Sequence, residues 1–463
     1  MADSNRDLLH RTADVAAAFL QDLPDRHVGP FEDAAAVADR LRAPLPEGGE
    51  DPWAVVERLA RDVEPGLVAS AGPRYFGFVI GGALPAALAA DWLTAAWAQN
   101  GALHASSPAA AAAEQVAGEW MLDLLGLPAG ASFGLPTGAG LANTVALAAG
   151  RHAVLERIGW DVETRGLYGA PEIAVMVGEE AHATLLTALQ YLGLGRERVI
   201  RVPTDEQGRM RPGPMVAAVR AAGDRPLLVA AQAGNVNTGA FDPLEAIVEA
   251  VAGHPNAWRH VDGAFGLWAA AVPRLRHLVS GMEHADSWAT DAHKWLNVGY
   301  DCGFVAVRDQ AAHRAAMAVT AAYLLQGGGA REPWEYVLDS SRRARGFALY
   351  AALRSLGREG VRDLVDRCCR LAERMAGRLA QAPGVTVLND VVLNQVLVRF
   401  GDDDERTRRV IARVQADGVA WMGGTTWHGL AAMRISVSNW STTEADIDRS
   451  VEAILRALAE MAE

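Results

Sequence analysis

The chain has 463 residues, half of them apolar and 21% charged, and a formal net charge of −13. These values fit a soluble globular protein of two or three domains with a large core. They argue against a nucleic-acid surface or an anionic membrane as the main partner. The three cysteines, Cys302, Cys368 and Cys369, have no metal-ligand spacing and fit a reducing cytoplasm.

Residues 1–72 read as an N-terminal helical segment. The opening "MADSNRDLLHRTADV" has no apolar signal core. "RDLLHRTADVAAAFLQDL", "DAAAVADRLRAPL" and "DPWAVVERLARDV" each carry a helical pattern, the last with Asp51 as N-cap and Pro52 at the first helical position. "SAGPRYFGFVIGGALP" reads as a loop with clustered aromatics. "ALPAALAADWLTAAWA" comes nearest to a membrane span, but Pro85 and Asp91 interrupt it.

Residues 73–340 read as one large α/β domain. The helical "AAAAAEQVAGEWMLDLLGL" and "ANTVALAAGRHAVLERIG" precede strand–helix alternation. "EIAVMVG", "ERVIRVP", "PLLVAAQAG", "WRHVDGAFG", "ADSWATDAHKW" and "CGFVAVR" are the expected strands, several of them separated by helical stretches. Short apolar strands spaced this way predict a largely parallel sheet covered on both faces. Residues 341–463 change texture. Two helical runs, "SRRARGFALYAALRSLG" and "LVDRCCRLAERMAGRLAQ", precede the strands "NQVLVRF" and "AAMRISVSN" and a final helix, which together predict a smaller α+β domain.

Ligands of parallel sheets bind at the carboxyl ends of strands, so the polar residues there are the candidate site. Asp262 closes "RHVD", Lys294 closes the next strand-like run, His182 follows "EIAVMVGEEA", and "PTGAGLANT" is a glycine-containing turn opening a helix. Together they suit pyridoxal phosphate. A lysine amine condenses with the aldehyde. A carboxylate holds the pyridine nitrogen protonated. A planar side chain covers the ring, and backbone amides at a helix N-terminus take the phosphate. Lys294, Asp262, His182 and the Gly138–Gly140 turn fill those roles in that order, with His293 as an added phosphate or substrate contact.

"HVDGAFG" followed by "ADSWATDAHKWLNVGYDCGF" resembles the group II pyridoxal phosphate-dependent amino-acid decarboxylases, which include aromatic amino acid, tyrosine and glutamate decarboxylases. "GPRYFGF", "GNVNTGAFDP" and "SRRARGFALYAALRSLG" extend the resemblance from about Pro73 to the C-terminus. It implies fold type I, the aspartate-aminotransferase-like fold: a mainly parallel seven-stranded sheet plus a small α+β domain. It also implies a homodimer with active sites at the interface, alongside the cytoplasmic location and the absence of nucleic-acid or membrane partners expected from the cysteines, charge and lack of a spanning run. The resemblance puts Lys294 in the Schiff base, Asp262 at the pyridine nitrogen and His182 on the ring. Ala139 and Gly140 meet the phosphate, with Gly138, Asp291 and His293 beside them, and Ala264 lies against the cofactor. Asn235 or Asn237 touches the cofactor hydroxyl or the substrate, or shapes the turn. Arg434 suits a substrate carboxylate, and Tyr75, Phe76 and Phe78 line the channel.

Three departures stand out. The phosphate turn has glycines where relatives often have serines. Asp291 stands where relatives commonly have asparagine, and a carboxylate near a phosphate repels it unless turned away or paired. In the loop "YLLQGGGAREPWEYVLD" the tract "QGGGAREP" resembles a lid, but the position of the tyrosine that helps decarboxylating relatives protonate the carbanion falls here near Pro333, with Tyr323 and Tyr336 out of register. The expected reaction is decarboxylation of an L-amino acid. Transamination, aldol-type cleavage or oxidative deamination to an aldehyde is the alternative, and a cofactor-free pseudoenzyme is the second. Trp334, Trp427 and "GGTTWHG" suit an aromatic-lined pocket, whereas arginines near Arg331 suit an acidic substrate.

Overall fold

The computed structural model describes residues 2–318 and 331–461. Tyr323 and most of the expected lid lie outside the described residues. A seven-stranded sheet forms from β1 (Ser132–Gly134), β2 (Ala174–Gly178), β3 (Ile200–Val202), β4 (Leu227–Gln232), β5 (Ala257–Asp262), β6 (Ser287–Asp291) and β7 (Gly303–Val307). Their order is β1-β7-β6-β5-β4-β2-β3. Strands β2 to β6 are parallel, and β7 runs antiparallel to both β6 and β1. Every residue of β2, β4, β6 and β7 is buried, as expected of strands covered by helices on both faces. Each strand expected in this stretch forms. The three-residue β1 has too short a pattern to be read from sequence.

The second sheet is antiparallel, in the order β10-β11-β9-β8. It joins β8 (Val385–Val387), β9 (Gln395–Phe400), β10 (Gly423–Trp427) and β11 (Leu430–Ser436). "GGTTWHG", expected in the pocket, is therefore mostly strand β10, hydrogen-bonded along β11. The two helical runs that precede this sheet form a single 34-residue stretch, Gly346–Leu379, kinked where Gly357 takes φ of 61°. Pro85, expected to interrupt an apolar run, instead opens helix Pro85–Trp97 at its first turn. No helix among the described residues is long and apolar enough to cross a membrane.

Residues 73–84 strap the two sheets together. The Phe76 N–H donates to Trp421 O at 2.8 Å, and the Ser436 N–H donates to Phe76 O at 2.9 Å. Farther along, a Cβ on Gly81 would lie 1.9 Å from the carbonyl oxygen of Lys294, so only glycine fits there. The buried Arg74 guanidinium donates to Val419 O and, at 2.8 Å, to Pro24 O, which ties the N-terminal segment to the small sheet.

The reversal from β6 to β7 is pinned by Asn297. It is fully buried and holds φ of 55°, a region asparagine tolerates better than most residues. Its amide donates to Trp295 O at 2.6 Å and Ser438 O at 3.0 Å, and its oxygen accepts from Trp440 N at 2.9 Å. Asn297→Ala strands three buried backbone groups, so a loss of about 2–4 kcal/mol is expected. Thermal unfolding should show it as a midpoint several degrees lower than wild type.

Candidate active site

Neighbouring strands deliver their polar residues to one edge of the large sheet. Gln232 and Asp262 are paired across β4 and β5, and Asp291 ends β6 next door. Around them lies a cavity of about 240 Å³, lined by Gly138, Ala139, Gly140, His182, Thr184, Gln232, Gly234, Val236, Asp262, Ala264, Phe265, Asp291, His293 and Lys294. The cavity thus brings together the expected lysine, aspartate, histidine and glycine turn. Lys294 sits three residues beyond the strand that was expected to end with it, because β6 stops at Asp291. The residues that follow turn back to antiparallel β7.

Asp262 is buried. One carboxylate oxygen accepts from Asn143 Nδ2 at 3.0 Å and the other from the Ala264 N–H at 3.3 Å. Burial pushes its carboxyl above the usual range, against the opposing pull of His182 and Lys294. Behind it runs a buried chain of hydrogen bonds. Asn143 Oδ1 lies 2.9 Å from His260 Nε2, and His260 Nδ1 lies 3.0 Å from Ser287 Oγ, which also accepts from Trp258 Nε1 at 2.9 Å. Sequence reasoning missed Asn143, His260 and Ser287. The histidine in "RHVD" was visible, but its partners sit 117 and 27 residues away.

His182 caps helix Ala183–Tyr191 and places Nδ1 2.7 Å from Thr184 Oγ1. Desolvation lowers its pKa, so the ring is neutral at pH 7. Gln232 Oε1 accepts from the His182 N–H at 3.2 Å, a contact no motif signalled.

The turn Pro136–Gly138 opens helix Ala139–Glu156, and Gly138 offers no side-chain cap. The Asp291 carboxylate supplies one instead, accepting from the Ala139 N–H at 2.6 Å. Its other oxygen lies 2.9 Å from Lys294 Nζ, and His293 Nε2 is 3.6 Å from the first. The His293 ring in turn rests on Tyr300, centroids 4.5 Å apart.

Several expected residues lie off the cavity. Asn235 shapes its own turn, accepting from the Asn237 and Thr238 N–H groups, while Gly234 and Val236 reach the cavity in its place. Asn237 meets Thr425. Phe76 is buried in the main core, and Tyr75 stacks on Trp421 with centroids 5.1 Å apart. Phe78 lies over the same indole at 6.0 Å. Trp334 belongs to the turn Pro333–Tyr336, anchored through its N–H to Ala102 O, and does not line the cavity. Arg331 is committed to Glu114 and stacks on Phe133 and Tyr336. Arg434, on β11, forms no ion pair among the described residues, and its Nε is buried without a partner.

A carboxylate, a flat imidazole, an amine and a helix N-terminus around one cavity match the parts of pyridoxal phosphate. A pyridoxal-dependent decarboxylase conserved domain matches residues 37–400. The chain belongs to that family. The decarboxylase is 27% identical to tryptophan decarboxylase 1 of Oryza sativa, over 99% of this chain and 95% of the rice protein. It is 26% identical to 4-hydroxyphenylacetaldehyde synthase of Rhodiola rosea, over 94% and 91%. The solved Oryza sativa structure with PLP and tryptamine superposes with a TM-score of 0.93 at 25% identity, covering 100% and 99% of the two chains. The decarboxylase is accordingly a pyridoxal phosphate enzyme of fold type I.

Burial holds His260 at a pKa of about 3, well below the 6.5 of an exposed histidine, and His313 likewise. Both are neutral in the fold. Their stability contribution is complete above pH 6.5 and is lost as pH falls toward 3, because only the unfolded chain takes up the protons. Each costs up to about 1.4 kcal/mol per pH unit in that window. Urea unfolding from pH 7.5 to 5 should show a shallower acid loss for His313→Gln than for wild type.

Proposed function

We propose that the chain removes the α-carboxylate of an L-amino acid with an aromatic side chain. The observation that carries this is the single cavity on which Lys294, Asp262, His182 and the helix Ala139–Glu156 converge. Pyridoxal phosphate, when bound, supplies an electron sink for the bond to the departing carboxylate. Lys294 is the amine that holds the cofactor and later displaces the product. Asp262 would face the ring nitrogen, and the Asn143–His260–Ser287 chain keeps its carboxylate from rotating. His182, neutral and fixed by Thr184, covers the ring. Gly138 and Gly140, with the Ala139 amide shared with Asp291, would hold the phosphate at the helix N-terminus.

Arg434 is the proposed anchor for the substrate carboxylate, since a half-buried guanidinium with no ion-pair partner among the described residues invites an anion. Val236 and Phe265 in the cavity lining support an aromatic side chain. Aldehyde formation remains the second reading, on a specific observation. Pro333 and Tyr336 are both buried in the wall behind β1, where the Tyr336 carbonyl would lie 2.5 Å from a Cβ on Gly134. Neither supplies the hydroxyl that the register requires.

Incubating the purified enzyme with aromatic and acidic L-amino acids should release carbon dioxide and the matching amine, fastest with an aromatic substrate. Equimolar aldehyde and ammonia would establish the second reading instead. Lys294→Ala should abolish both turnover and the visible absorption of lysine-bound cofactor. Arg434→Gln should raise KM about tenfold or more while leaving that absorption intact.

A homodimer completes this reading. Phe78 and Tyr300, beside the site, are 58% and 60% exposed, and Trp92, Leu93 and Trp97 expose an apolar face of helix Pro85–Trp97. Light scattering should give twice the 49.1 kDa chain mass. Phe78→Asp should shift the protein toward monomer and reduce turnover with it.

A further inference from the structure

We propose that Asp291 opposes the cofactor phosphate at the helix N-terminus, and so sets how tightly the enzyme retains its cofactor. This rests on the proposed reading of the cavity as the cofactor site. The helix Ala139–Glu156 has no cap of its own, because Gly138 has no side chain. Its first amide is taken by Asp291 Oδ1 at 2.6 Å. Oδ2 of the same carboxylate holds the Lys294 ammonium at 2.9 Å, and His293 Nε2 stands 3.6 Å from Oδ1. The first helix amide and the lysine, both of which would attract a phosphate here, already face this one carboxylate.

The carboxylate has little room to withdraw. Asp291 is 2% exposed, its N–H donates to Ala264 O at 2.9 Å, and its carbonyl accepts from Trp268 Nε1 at 3.1 Å. A Cβ on Gly138 would lie 3.3 Å from Oδ1 and 3.1 Å from His293, so the turn is already close-packed against both side chains. A phosphate dianion at this terminus shares its amides with a fixed negative charge. Repulsion between charges a few ångströms apart is strong away from bulk water. Asparagine has the same shape, and its oxygen keeps the bond to the Ala139 N–H while the charge is removed.

Asp291→Asn is expected to bind pyridoxal phosphate at least about tenfold more tightly than wild type. Pyridoxal has the aldehyde but no phosphate, and its affinity should change by less than about twofold. Any effect of the substitution acting only through Lys294 moves both ligands equally. The experiment titrates full-length wild type and variant, stripped of cofactor by dialysis, with each compound, following the visible band and equilibrium dialysis. Holoenzyme diluted into buffer gives the matching rates of cofactor loss, which should be slower for the variant.

A selective gain for the phosphorylated compound supports the proposal. An unchanged or weaker affinity, or an equal gain for both compounds, overturns it. Asp291→Ser, smaller and also neutral, gives the same comparison should the asparagine variant fail to fold. Wild type that takes up neither compound defeats the reading of the cavity itself, which is a distinguishable result.

Discussion

The Asp291 carboxylate, between a helix N-terminus and the Lys294 ammonium, is the interaction on which the site depends. Three elements meet there: the end of β6, the first turn of helix Ala139–Glu156 and the reversal into β7. A charged lysine in a buried turn needs an anion or water. Asp291 is that anion, and it also satisfies a helix amide that Gly138 cannot. The small residues of the phosphate turn and the acidic residue after β6 are therefore two sides of one arrangement. A hydroxyl-bearing turn would cap itself, whereas this one borrows a carboxylate from the neighbouring strand.

The small sheet reaches the site through the strap at residues 73–84. Phe76 is hydrogen-bonded between Trp421 and Ser436, which carries the small sheet's contacts directly to the segment that packs on Lys294. Asn297 bonds to Ser438 and Trp440 from the other direction. A shift of the small sheet against the large one would thus be felt at the lysine turn and at Arg434 together. The lysine turn and the strand that carries Arg434 are joined through these bonds.

What could be read from sequence follows the range of the interactions. Periodicity is local, so the long helices and the apolar strands β2 and β4 to β7 were legible, and so were Asp51 and Pro52 at the start of helix Pro52–Val63. The motif residues Lys294, Asp262, His182 and Gly138–Gly140 were legible because each follows a strand or opens a helix. Strands β1, β8 and β10 were not, being three residues long or polar and glycine-rich. Nor was the Asn143–His260–Ser287 chain, whose members are brought together only by folding. Trp334 shows the opposite failure. An aromatic residue beside a lid-like loop suggests a pocket wall, yet the backbone bond to Ala102 holds it elsewhere.

Proton delivery is the step on which the reaction outcome turns, and the described residues narrow it. Tyr336 lies in the β1 wall, where its ring meets His313 edge-on and its carbonyl bonds to the same histidine. Two other phenols flank the site. Tyr300 covers His293, and Tyr75 lies within the fields of Tyr300 and Arg434. Burial pushes the Tyr75 hydroxyl up to about 12 and raises that of Tyr300. Both therefore stay protonated through the physiological range. His182 and His293 are held neutral by the same desolvation. The cationic side chain in the cavity wall is Lys294, while Arg434 on β11 forms no ion pair among the described residues.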